Sequence, residues 1–208
     1  MKTQVNASSP GALQRAAQVL AGGGLVAFPT DTLYGLGASA SLPISIERLF
    51  TAKDRPLERS IPILIASLEQ LEDVAADVPE AVRRLASAFW PGPLTLIVPR
   101  RGDLPDILGP APTVGVRVPN HPVALALLQL TGPLAVTSAN RSGAEGCTTA
   151  EQVEQALAGK VDLILDGGRC PGGVASTVAA HDGRDVSILR QGPISREAII
   201  AALAGGIS

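Results

Sequence analysis

Apolar residues recur along the first third of the chain with two alternating periods. Leu13, Ala16, Ala17 and Leu20 share one helical face, with Ser9 as cap, Pro10 in the first turn and Gly22 as the stop. The apolar run LVAFPT follows as a strand. Beyond the next loop, Ile46, Leu49 and Phe50 form a second helical stripe ending near Lys53, and IPILIA returns as a short buried strand. Ser67 with Gln70, and Asp77 with Glu80, have capping-box spacing and predict two more helices.

The second half keeps this rhythm. Leu94 to Val98 and TVGVRVP read as strands, NHPVALALLQLTG as a helix capped by Asn120, and PLAVTS as a strand. Thr149 with Gln152 opens another helix, and VDLILDGG is a continuous apolar strand of the kind covered on both faces. STVAAH, the turn HDGR and VSILRQG predict a hairpin, and Ser195 to Leu203 a closing helix. Arg100 to Thr113 is a Pro/Gly-rich loop whose RGD tripeptide reads as chance. No repeat, low-complexity tract or charged linker divides residues 1–208. The expectation is one α/β domain with a twisted mixed sheet of about seven strands flanked by helices.

Composition narrows the functional classes. With 46% apolar residues among 208, a buried core is assured. No apolar run approaches the ~18 residues of a membrane span, and MKTQVNASSPGALQ lacks the apolar segment of a signal peptide. A soluble cytoplasmic protein is expected. Cys147 and Cys170 lie outside any CxxC spacing, with only His121 and His181 to join them; reduced thiols and no dedicated metal site are expected. A net charge of −2 and five aromatic residues argue against an autonomous nucleic-acid binder.

Four polar clusters, TDTLYG, TSANRSG, DGG and LRQG, each follow a strand. Such clusters serve as caps and turns, or converge on a crevice at the carboxyl ends of the strands. In KDRP, Lys53 and Arg55 either satisfy the last helix carbonyls or pair a compact charge with a planar fork suited to polyphosphate. Arg117, inside a valine-rich strand, needs an anionic partner, from a structural carboxylate or from a substrate. Arg190 poses the same question. No phosphate loop, GxGxxG, GxSxG or HExxH motif is present. The remaining chemistry is positioning and charge stabilisation.

FPTDTLYGLG, KDRP, PGPLTLIV, TVGVRVPNHP, TSANRSG and STV followed by LRQG stand in the order and approximate spacing of a known family. From about Ala12 to Ala202 the chain resembles the YrdC/TsaC family, the threonylcarbamoyl-AMP synthases, in their single-domain form. The resemblance implies a twisted α/β sheet with a concave, positively charged face. It also implies an ATP-dependent nucleotidyltransferase that joins L-threonine, bicarbonate and ATP, with Mg²⁺ accompanying the ATP, into threonylcarbamoyl-AMP and pyrophosphate. Partner proteins would pass the threonylcarbamoyl group to an adenosine beside the tRNA anticodon, with a tRNA contact included.

Residue by residue, the resemblance places Thr32, Tyr34, Arg117 and Ser176 on the threonine side. Lys53, Arg55, Thr113, Ser138, Asn140 and Arg190 fall on the nucleotide side, with Lys53 and Arg55 catalytic and Lys53 read as exposed. Two departures are Leu64, where many relatives carry histidine, and Gly146 and Cys147, where relatives often carry a Pro-Ser pair. The rival readings are a paralogue acting on a different carbamoyl donor or acceptor, and a non-catalytic RNA-binding or ribosome-maturation module.

Overall fold

The computed structural model describes residues 4–204. In chain order its elements are β1 (Gln4–Asn6), α1 (Ala12–Ala21), β2 (Val26–Phe28), β3 (Gly35–Ser39), α2 (Pro43–Lys53), β4 (Ile63–Leu64), α3 (Glu80–Phe89) and β5 (Leu94–Pro99). There follow β6 (Thr113–Arg117), α4 (Pro122–Thr131), β7 (Leu134–Ser138), α5 (Ala150–Ala156), β8 (Leu163–Asp166), β9 (Thr177–His181), β10 (Val186–Arg190) and α6 (Arg196–Ala204). Among the described residues the strands form one mixed ten-stranded sheet, ordered β1-β8-β2-β3-β7-β4-β6-β5-β9-β10.

The sheet exceeds the expected count of about seven: eight strands coincide with runs named from the sequence, and β1 and β3 leave little trace there. β1 is a three-residue edge strand parallel to β8. β3 reads GLGAS, and glycine is a poor strand former. Packing requires it nonetheless, since a Cβ on Gly35 would lie 2.7 Å from Val136 Cγ1.

Several helix starts also differ from expectation. The α1 cap is Gly11, at φ 74°, while Ser9 contributes only its carbonyl to Ala12 N–H. His121 rather than Asn120 caps α4, its Nδ1 accepting from Val123 N–H at 3.3 Å, because Pro122 fixes the first helical position. Ser67 precedes a 3₁₀ turn, Leu68–Asp73, without capping it, and Gln70 accepts from Ala66 N–H instead. Asp77 sits at φ 46° and α3 begins after Pro79 without a side-chain cap. The Thr149/Gln152 capping box is present.

Strand alternation sorts the core onto two faces. Ala27, Leu36, Ile63, Leu96, Val116 and Ala135 point toward α2, α3, α5 and α6, meeting Leu49, Leu85, Val153 and Ile199. Phe28, Leu64, Leu134, Val136 and Leu163 point the other way, onto Leu20 of α1 and Leu128 of α4. α1 packs over β2, β3 and β8. Farther across that second face, β5, β6 and β9 turn Thr95, Ile97, Gly115, Arg117 and Val178 into a cavity of about 340 Å³. Among the described residues no helix is long and apolar enough to cross a membrane.

Candidate active site

The cavity wall begins with the loop after β2. Thr30 Oγ1 donates to Leu33 O at 2.7 Å and accepts from Thr32 N–H at 3.1 Å, which folds the loop onto itself. Thr32 Oγ1 lies 3.0 Å from Thr30 Oγ1 and 3.0 Å from Arg117 Nη1. Because the proton of Thr30 goes to Leu33 O, Thr32 receives none from it. It accepts from Arg117, and a lone pair is left toward the cavity.

Tyr34 also belongs to the wall, but its hydroxyl donates to Gly168 O at 2.8 Å and accepts from Gly167 N–H at 3.3 Å. Burial raises this phenol well above the ordinary tyrosine range. The chain's one tyrosine is therefore a pin between the start of β3 and the loop after β8.

Three guanidinium groups line the cavity: Arg55, Arg117 and Arg190. Arg117 donates from Nε to Gly92 O at 2.9 Å and from Nη2 to the Asp31 carboxylate. Of the two sources left open for its anionic partner, the structure supplies the carboxylate. Burial lowers the Arg117 pKa, with Asp31 opposing the shift. Arg55 donates to Arg59 O at 3.3 Å and Ser60 O at 2.8 Å; burial lowers its pKa first, followed by repulsion from Arg59 and Arg190.

Arg190 reaches the cavity through a β-bulge. Ile188 pairs with Ala179 and Arg190 with Val178, so Leu189 is the extra residue. In unbroken alternation Arg190 would share the helix-covered face with Val186 and Ile188. The bulge turns it to the cavity, where Nε donates to Ser176 O and Nη2 to Ser176 Oγ, each at 3.0 Å. Ser176 Oγ meets Thr95 Oγ1 at 2.8 Å. No aspartate or glutamate stands among the residues lining the cavity. Such a wall suits a ligand with several negative charges.

The model of the Sua5/YciO/YrdC family, described as "Telomere recombination", matches residues 18–192. The chain belongs to this family. It is 45% identical over 179 residues to the threonylcarbamoyl-AMP synthase of Pyrococcus abyssi, covering 85% of this chain and 53% of that protein. It is 41% identical over 194 residues to that of Bacillus subtilis, covering 92% and 56%. The chain thus spans about half the length of these two curated relatives. The structure of P. abyssi Sua5 complexed with L-threonine matches with a TM-score of 0.88 at 43% identity, covering 91% of this chain and 56% of that one. E. coli YciO matches with a TM-score of 0.84 at 26% identity, covering 94% and 96%.

Of the site residues that the resemblance to the YrdC/TsaC family implies, the cavity gathers Thr32, Tyr34, Arg55, Arg117, Ser138, Ser176 and Arg190. Lys53, Thr113 and Asn140 stand outside its lining. Lys53 is not the exposed lysine expected: it is 1% exposed, with Nζ donating to Ser138 O. Its own carbonyl accepts from Ser142 N–H at 3.1 Å, so Lys53 holds the 138–142 loop at both ends. Burial, reinforced by Arg55, lowers its pKa to about 8. Asn140 is buried and donates to Arg141 O and Ala144 O, while Thr113 opens β6 opposite Pro99.

Sequence reasoning gave no individual role to Thr30 and Thr137, which open the TDTLYG and TSANRSG clusters, and missed Ser60 and Thr95; all four are hydroxyls of the wall. Alternation within PLTLIV puts Thr95 on the face opposite Leu94 and Leu96, which was the available signal. Leu64 lies in the wall, so the departure from histidine falls inside the site. Cys147 and Cys170 are buried, and burial raises both thiols, Cys170 to about 11. Among the described residues no group of three His, Cys, Asp or Glu is placed to hold a metal ion.

Proposed function

We propose that this chain is an ATP-dependent threonylcarbamoyl-AMP synthase acting in the modification of tRNA beside the anticodon. The observation that carries the reading is the cavity itself. Arg55, Arg117 and Arg190 converge with seven Ser and Thr residues, and no carboxylate, in a chain of the Sua5/YciO/YrdC family. Relatives named threonylcarbamoyl-AMP synthase, and a relative's structure complexed with L-threonine, support it.

In this reading bicarbonate and the threonine amine give N-carboxy-threonine and water. The new carboxylate attacks the α-phosphorus of ATP in line, forming the mixed anhydride as pyrophosphate leaves. Arg55 and Arg190 offset charge on the phosphates, and Ser138 faces the nucleotide. Thr32 offers an acceptor to the amino acid's hydroxyl or ammonium. Lys53 acts by holding the 138–142 loop. Thr113 and Asn140, outside the lining, are assigned to the nucleotide side only as it extends beyond the cavity. Mg²⁺ is proposed to arrive with ATP as part of that substrate, neutralising phosphate charge; the wall's hydroxyl oxygens are hard donors compatible with its water shell. Partner proteins would take the product onward to tRNA.

The test is pyrophosphate release by the purified chain with ATP, Mg²⁺ and bicarbonate, comparing L-threonine, L-serine, L-valine and no amino acid. Release requiring L-threonine and bicarbonate is expected, with valine rejected more strongly than serine because an unpaired buried acceptor is costly. Release indifferent to the amino acid would overturn the reading. Leu64 in the wall favours one second reading, a paralogue with another carbamoyl donor or acceptor, which the same assay detects when carbamoyl phosphate replaces bicarbonate.

A further inference from the structure

Thr95 faces the cavity from β5. With Leu96 paired to Val116 on β6, Thr95 stands abreast of Arg117, and on its other side it pairs with Val178 of β9. Its hydroxyl and that of Ser176 are both buried and 2.8 Å apart, and Ser176 Oγ also accepts from Arg190 Nη2 at 3.0 Å. The two hydroxyls therefore bridge from one cavity arginine toward another.

The protons can be counted. A guanidinium only donates, so the pair owns two protons, and one is used between the two oxygens. The second has no partner among the described residues. Whichever oxygen gives the shared proton, the pair presents a single O–H donor to the cavity. This is the reverse of Thr32, which presents a lone pair.

Packing fixes the donor's direction. A Cβ on Gly115 would lie 3.0 Å from Thr95 Cγ2, so the Thr95 methyl occupies the space that Gly115 leaves, which turns its Oγ1 to Ser176. The site has the layout of an amino-acid clamp, with an acceptor on one side and an aimed donor between two guanidiniums on the other.

We infer that Thr95 is a further substrate-binding residue, which with Ser176 donates one hydrogen bond to the amino-acid carboxylate between Arg117 and Arg190. The inference rests on the amino-acid reading proposed above. The experiment is calorimetric binding of L-threonine, and of L-threoninol, which lacks the carboxylate, to the full chain and to Thr95→Val and Thr95→Ser. Valine keeps the shape but removes one of the pair's two protons and the contact that aims Ser176 Oγ, so the proton left on Ser176 is no longer held in place. L-threonine should bind Thr95→Val on the order of 10- to 100-fold more weakly, L-threoninol without change, and Thr95→Ser should restore most of the loss.

Unchanged L-threonine affinity in Thr95→Val, or equal losses for both ligands, would overturn the inference. Should Thr95→Val not fold, Thr95→Ala takes its place in the same comparison. Pyrophosphate release by the wild type separates the two readings. Normal release with a Thr95→Val indistinguishable in binding removes the inference alone. Thr95-dependent L-threonine binding without release removes the synthase reading alone. A wild type that does not bind L-threonine removes both.

Discussion

Arg117 and Asp31 form an ion pair in which both side chains are nearly out of solvent, 7% and 12% exposed. The pair aims the guanidinium: with Nη2 on Asp31 and Nε on Gly92 O, Nη1 is left for Thr32. Asp31 also accepts from Asn120 N–H at 3.0 Å, tying the loop after β2 to the start of α4. Asp31→Ala leaves a buried guanidinium uncompensated and should lower stability by about 3 kcal/mol or more in urea unfolding. The double variant Asp31→Ala/Arg117→Met should recover part of that loss. A double variant no more stable than Asp31→Ala would sink this account.

Lys53 carries a pH signature of its burial. Its pKa is lowered from 10.5 to about 8, so below pH 8 the folded and unfolded chains both hold the proton and the native state bears the full desolvation penalty. Between the two values the native state has released a proton that the unfolded state still binds, and stability rises with pH. Wild type should therefore gain on Lys53→Met by roughly 3 kcal/mol in total from pH 7 to 10.5, with most of the change above pH 8. A flat difference in urea unfolding across that range would contradict it.

The fold's rhythm was legible because buried helices and strands must repeat at fixed periods. α1, α2, β5 to β8 and the β9–β10 hairpin follow from apolar spacing alone. β3 was hidden because packing against Val136 selects glycine there against strand propensity. The site divides in the same way. The charges of Arg55, Arg117 and Arg190 stand out in sequence, but whether a side chain faces the cavity depends on strand face and tertiary contacts. Lys53 looked like a free cation until α2 placed it behind the 138–142 loop. Tyr34 looked like a ligand contact until Gly167 and Gly168 claimed its hydroxyl.

Leu189 makes the dependence on strand face testable. It is 62% exposed and contributes little packing, and because it loops out unpaired the alternation skips it and Arg190 faces the cavity. Leu189→Ala should retain activity, with stability within about 0.5 kcal/mol of wild type. Deleting Leu189 should make the pairing regular, with Ile188 still opposite Ala179 and Arg190 opposite Val178, so plain alternation then turns Arg190 to the cavity and activity should be retained. Circular dichroism would check that the fold survives, and a folded deletion variant as inactive as Arg190→Ala would overturn this account of the bulge.

Gly115 tests the packing that holds Thr95. A Cβ there would sit 3.0 Å from Thr95 Cγ2 and 3.3 Å from Pro62 Cβ, both in the cavity wall. The ring of Pro62 is rigid, so Thr95 must yield, and its movement would carry Oγ1 away from Ser176. Gly115→Ala should cost about 1–3 kcal/mol in urea unfolding through this overpacking, and should weaken amino-acid binding along with it. Removing the offending methyl separates the two effects. In Gly115→Ala/Thr95→Ser the added Cβ takes the space of the lost Cγ2, so stability should return, and binding should return with it because serine keeps the donor. A double variant as unstable as Gly115→Ala would place the clash elsewhere, whereas one that regains stability without binding would mean that the threonine methyl is needed to aim the hydroxyl.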